Sequence, residues 1–143
     1  DAHDFPKCAD GSRGGPQRAS TWLKTYIPKI LASPAYQHDG MIVILFDEAL
    51  LPTSCCGEKK GPNLGPKNNN GGSYGPLTPL APGGGQTGAI FISKFVKPAT
   101  VSYRFYNHYS YLRSMEDLFA LPHLGYAAQN GLRPFGKDIY TAP

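Results

Sequence analysis

Met41-Ile42-Val43-Ile44-Leu45-Phe46-Asp47-Glu48 decides how this chain is read. Six apolar residues, several of them β-branched, follow the turn signal His38-Asp39-Gly40 and end abruptly in two carboxylates. A short apolar run bounded in this way predicts a strand buried on both faces, hence one belonging to a parallel sheet. The class expected is therefore α/β. Asp47 and Glu48 fall at the carboxyl end of the strand, the edge of an open α/β sheet at which ligands bind. Paired carboxylates there supply hard oxygen donors and negative charge to a divalent cation.

Upstream, Trp22, Leu23, Tyr26, Ile27, Ile30 and Leu31 form one apolar stripe at helical spacing, predicting a helix over 18–33. Ser20 or Thr21 is a candidate cap for a shorter version of it. Pro28 is expected to kink or restart the helix, and Pro34 to end it. Downstream, residues 52–88 hold ten Gly and six Pro, and read as one long loop. Gly88–Ser93 reads as a second buried strand. Residues 108–121 read as a second helix, with Tyr111, Leu112, Met115, Leu118 and Phe119 on one face and Asn107 as N-cap. The tail from His123 is expected to pack back over the sheet. Two buried strands do not make a doubly covered sheet alone, so the chain reads as part of a larger one.

The 143 residues suit one domain, and no apolar run is long enough for a membrane-spanning helix. The chain opens without a signal-peptide pattern or an initiator Met, and is expected to continue from something upstream. Net charge is +4, but the basic residues are scattered, with Lys59-Lys60 the only doublet, so no nucleic-acid partner is expected. Of three cysteines, the adjacent Cys55 and Cys56 are poorly placed to bond each other. A Cys8–Cys55 or Cys8–Cys56 disulfide is expected, and with it an oxidising compartment.

Four histidines are present. His3, between Asp1 and Asp4, and His108, opening the second helix, sit beside regular elements, where loop-borne ligands are expected. With Asp47 and Glu48 they would make a mixed His and carboxylate site. Arg113 lies one turn beyond His108. Its guanidinium could clamp phosphate, or pair with Glu116 or Asp117. The stretch Pro82–Gly88 is glycine-rich but lacks the Lys of a phosphate-binding loop.

Taken together, the Asp-x-His-Asp opening, the strand ending in Phe-Asp-Glu-Ala, Pro-Gly-Gly-Gly-Gln-Thr-Gly-Ala and Tyr-Asn-His-Tyr-Ser-Tyr-Leu-Arg-Ser-Met-Glu-Asp-Leu-Phe resemble a family. It is the bacterial phosphoesterase family of phospholipases C and acid phosphatases, in the alkaline-phosphatase superfamily. The resemblance implies a mostly parallel sheet flanked by helices, of which residues 1–143 would form the C-terminal part. It implies hydrolysis of phosphoric esters, phospholipids among them, with Asp47 and Glu48 holding a divalent metal. His3 would line the site as a ligand or phosphate contact, and His108 is a further candidate; His3 and His108 are thus the expected catalytic residues, and Arg113, from its place on the second helix, the candidate substrate contact. It implies export to the periplasm or the medium. Family members carry a Glu-Asn metal pair and a Ser or Thr nucleophile in an N-terminal half, and no segment here matches them. That half, or self-association, is therefore an expected partner. The alternative is a non-catalytic fragment or subunit with a role in assembly.

Overall fold

A computed structural model describes residues 7–47, 49, 55 and 85–141. They fall into two compact units, Asp1–Met41 and Ile42–Pro143, where a single body was expected. Most of the 52–88 stretch lies outside the described residues.

The first unit is helical. Helix α1 spans Pro16–Leu31. It starts earlier than the sequence suggested, because Gly15 takes φ 79° at the N-cap and Pro16 fits the first turn. Thr21 does not cap. Its hydroxyl donates back to the Gln17 carbonyl at 3.0 Å, inside the helix. Pro28 leaves α1 unbroken, near enough to the C-terminus that one lost amide bond does not end it. The sequence reading missed α2, Pro34–Asp39, which Ser33 caps by accepting the Tyr36 N–H. The residue expected only to stop α1 thus also starts the next helix. Gly40 is required at its end, since a Cβ there would lie 2.4 Å from the Tyr36 Cα.

The second unit carries the sheet. Strands β1, Ile42–Leu45, and β2, Ala89–Ile92, pair antiparallel with Ile42 opposite Ile92 and Leu45 opposite Ala89. This corrects the expectation of parallel strands. An apolar run marks a strand but carries nothing about its neighbour's direction. Nor are the strands buried on both faces: β1 is half-buried along its length, and Ile90 of β2 is 60% exposed.

Helix α3 covers His108–Leu118. Asn107 caps it as expected, within a reciprocal box in which Asn107 Oδ1 accepts from the Ser110 amide and Ser110 Oγ accepts from the Asn107 amide. The helix closes before Leu121, because Ala120 turns left-handed at φ 52°. The Ala120 and Leu121 amides then donate to the Asp117 and Glu116 carbonyls, a Schellman ending. A short 3-10 turn, η1 at Gly125–Ala128, packs against α3.

The tail packs back on the sheet side, through Phe135 against Phe91 at 5.0 Å. Phe135 also meets Tyr106 at 4.6 Å and Tyr111 at 6.2 Å. Val96 and Tyr140 form a bridge, and Thr141 N donates to Phe95 O at 2.8 Å. One carboxylate ties this layer together. Asp138 accepts from the Ser102 hydroxyl and from Tyr106 OH at 2.8 and 3.0 Å.

Burial alone would raise the Asp138 carboxyl. The bonds from Ser102 and Tyr106, with the charge of Arg104, outweigh it and hold the group below the ordinary carboxylate value. Burial first, then the bond and charge of Asp138, push the Tyr106 phenol from 10.0 to about 12. The two shifts have opposite signs. The Asp138 contribution is complete above the ordinary carboxylate range and is lost as pH falls through its folded value. That of Tyr106 is complete below pH 10.0 and is lost as pH rises toward about 12. Thermal melts across pH are expected to weaken at both ends. In Asp138→Asn, the acid loss attributable to this group should disappear, and the alkaline loss should become smaller and finish nearer pH 10.0, because the Tyr106 phenol loses the bond and charge that help to raise it. Unchanged profiles would show that the cluster does not bear on stability.

Candidate active site

The end of β1 and the start of α3 are joined by one side chain. Because Asn107 fixes where α3 begins, His108 stands at its first position. From there its Nε2 reaches the Phe46 carbonyl at 2.9 Å. A carbonyl only accepts, so Nε2 carries the hydrogen and the neutral ring keeps its lone pair on Nδ1. Phe46 immediately precedes Asp47, which is exposed at the strand end. Two residues picked from sequence 61 positions apart, Asp47 and His108, are thus linked through the backbone next to one of them.

This geometry sets limits on chemistry. His108 Nε2 is committed to the carbonyl, so any ligand or proton transfer at this ring involves Nδ1. His108 also positions the turn that presents Asp47. Glu48 and His3 lie outside the described residues. Among the described residues no group of three His, Cys, Asp or Glu side chains forms a metal cluster. The oxygen donor that the structure places at the strand end is Asp47.

Arg113, expected at the substrate, is built into packing instead. Its Nη1 donates to the Ala127 and Gln129 carbonyls, both at 3.2 Å, and so pins η1 to α3. Its Nε and Glu116 Oε2 are buried without a protein partner among the described residues, a place suited to an ordered water. Glu116, only 3% exposed, accepts the Leu124 amide with its other oxygen at 3.0 Å. Neither Glu116 nor Asp117 takes the guanidinium as a salt-bridge partner. Asp117 pairs with His123 at 2.7 Å.

The Cys8–Cys55 bridge is not formed. Cys8 carries a free thiol, and Cys55 is disulfide-bonded. Cys56 lies outside the described residues, so the alternative Cys8–Cys56 pairing fails on Cys8 alone. With it goes this support for an oxidising compartment through Cys8. Sequence reasoning also missed Asp138, Ser102 and Tyr106. A lone Asp far along a Gly-containing tail gives no periodic signal, and its partners lie more than thirty residues away.

With the strand end, Asp47 and His108 in place, comparison with known proteins becomes informative. A family model described as the phosphoesterase family matches residues 9–122. The chain belongs to the phosphoesterase family. The match takes in β1, β2 and α3, with Asp47, Glu48, His108 and Arg113, and leaves His3 outside. No curated protein and no solved structure matches the chain. Family membership supports phosphoric-ester hydrolysis as the chemistry of this phosphoesterase. Among its described residues, no helix is long and apolar enough to cross a membrane.

Proposed function

We propose that this phosphoesterase hydrolyses phosphoric esters with a divalent metal, in the manner of a phospholipase C or acid phosphatase, outside the cytoplasm. The observation that carries the reading is the bond from His108 to the Phe46 carbonyl, which sets a helix-borne imidazole beside the Asp47 turn within the family match. Asp47 and Glu48 would hold the metal, whose chemistry when bound is to polarise a phosphoryl oxygen as a Lewis acid. His108 fixes the strand end and leaves Nδ1 free to take up or release a proton. His3 remains a proposed catalytic residue, and a phosphate ester, phospholipid included, the proposed substrate. The alkaline-phosphatase-like parallel sheet is likewise a proposal, with β1 and β2 as an antiparallel part of it.

The test is turnover of p-nitrophenyl phosphate and of a phosphatidyl ester by the chain, with and without divalent metals and chelator. Metal-dependent turnover that chelation abolishes is expected. Turnover indifferent to chelator would end the metal assignment.

One observation favours a second reading, of a subunit or fragment that acts in assembly. The fully buried apolar residue among those described is Ala127, while Leu118, Phe119 and Leu124 at the α3 end are exposed by more than half. In that case the chain would be inert in the assay and would run as a stable oligomer.

A further inference from the structure

Beside the first turn of α3 lies a cavity of about 430 Å³, with neither Asp47 nor His108 among its lining residues. Asn107 and Ser110 line its helix side, and Tyr103, Phe105, Arg104 and Arg133 are among its other walls. We propose that this cavity binds a small organic dianion, a phosphate monoester or phosphonate carried on an apolar body.

Charge is the first argument. Two arginines are among the lining residues and none of those residues is acidic. Among the described residues, the counter-charge nearest Arg104 is Asp138, at 3.9 Å from its Nε. Asp138 is in turn already bonded by Ser102 and Tyr106. Arg133 has no hydrogen-bond or ion-pair partner among the described residues. Its five donors therefore remain open to a ligand. Guanidinium forks match phosphate oxygens in bidentate fashion. Two of them match a dianion better than a single-charged carboxylate.

Shape is the second. The volume falls within the range of small-molecule sites, roughly 300–1,000 Å³, which combine apolar walls with a few polar groups. Tyr103 is 90% exposed and Phe105 79%, an unusual placement for rings unless something covers them. A ligand with an anionic head and an aromatic or aliphatic body would use both the guanidinium groups and these rings. The proposal is independent of hydrolysis at the end of β1, since neither Asp47 nor His108 lines the cavity.

The experiment is calorimetric binding of phenylphosphonate, which is not hydrolysed, at fixed ionic strength and at a pH where it is a dianion. The wild-type chain is compared with Arg133→Gln, Arg104→Gln and His108→Ala, with benzoate and inorganic phosphate as competing probes. Arg133→Gln and Arg104→Gln are each expected to lower affinity by about tenfold or more, from loss of charge-assisted hydrogen bonds. His108→Ala should bind within about twofold of wild type, because His108 is not among the lining residues and its Nε2 bonds to the Phe46 carbonyl instead. Benzoate should bind more weakly for want of charge, and inorganic phosphate for want of the ring. Absence of wild-type binding at millimolar probe would overturn the proposal. So would arginine variants that bind as wild type, or a loss of binding confined to His108→Ala, which would place the probe at the β1 end. Phosphoester turnover, measured separately, leaves each of these outcomes unaffected.

Discussion

Replacing Asp47 by Ala is expected to lower metal-dependent phosphoester turnover by about a thousandfold or more. The size follows from what a carboxylate at this place would do. On the proposed reading, removing a charged oxygen donor would weaken metal binding and forfeit several kcal/mol of charge stabilisation at the phosphoryl oxygens. Asp47 is exposed and follows β1 rather than packing within it, so folding should survive the change. Unchanged thermal stability together with lost turnover is the pattern sought. A companion variant, His108→Asn, removes the imidazole that touches the Phe46 carbonyl, and should reduce turnover less than Asp47→Ala if His108 mainly positions the strand end. Wild-type rates in Asp47→Ala would refute the site, whatever His108→Asn does.

The second large effect is on stability. Phe135→Ala is expected to cost about 3 kcal/mol, the lower end of what phenylalanine truncation does in cores, because the residue is half-buried. One ring meets Phe91 of β2, Tyr106 of the segment before α3, and Tyr111 of α3. Its backbone N–H also donates to Ser114 Oγ at 2.8 Å, which keeps the tail on the helix after truncation. The hole left at the meeting of three segments cannot close by moving one of them. Urea unfolding followed by far-ultraviolet dichroism measures this: the midpoint should fall with the slope unchanged. A loss under about 1 kcal/mol would mean that the aromatic cluster is peripheral to the second unit's stability.

How much of this was legible in the sequence depends on which signal a residue carries. The strand before Asp47, the Asn107 cap and the second helix all announce themselves locally, through an apolar run, a cap chemistry and a 3.6-residue stripe. Helix α2 did not, since Pro34 reads first as a stop and the six residues after it are too few for periodicity. Strand direction was illegible because Ile42–Leu45 would look the same beside a parallel or an antiparallel partner. At the site, sequence singled out Asp47 and His108 as residue types. Only coordinates could show that His108 spends Nε2 on the carbonyl next to Asp47. Arg113 shows the opposite limit: its two carbonyl partners lie on η1 and just beyond it, and backbone acceptors leave no trace in composition. Phe135 and Asp138 organise the tail through contacts distant in sequence, which no local pattern foretells.

The ladder between Ile42–Leu45 and Ala89–Ile92 has a consequence for how this protein can vary. Its two strands are joined covalently only through residues 46–88, so most of the entropic penalty of bringing them together is already incurred at that separation. Doubling such a tether would cost only about 0.6 kcal/mol more. Descendants of this chain can therefore lengthen, trim or exchange the tract following the carboxylates while the paired strands stay in register.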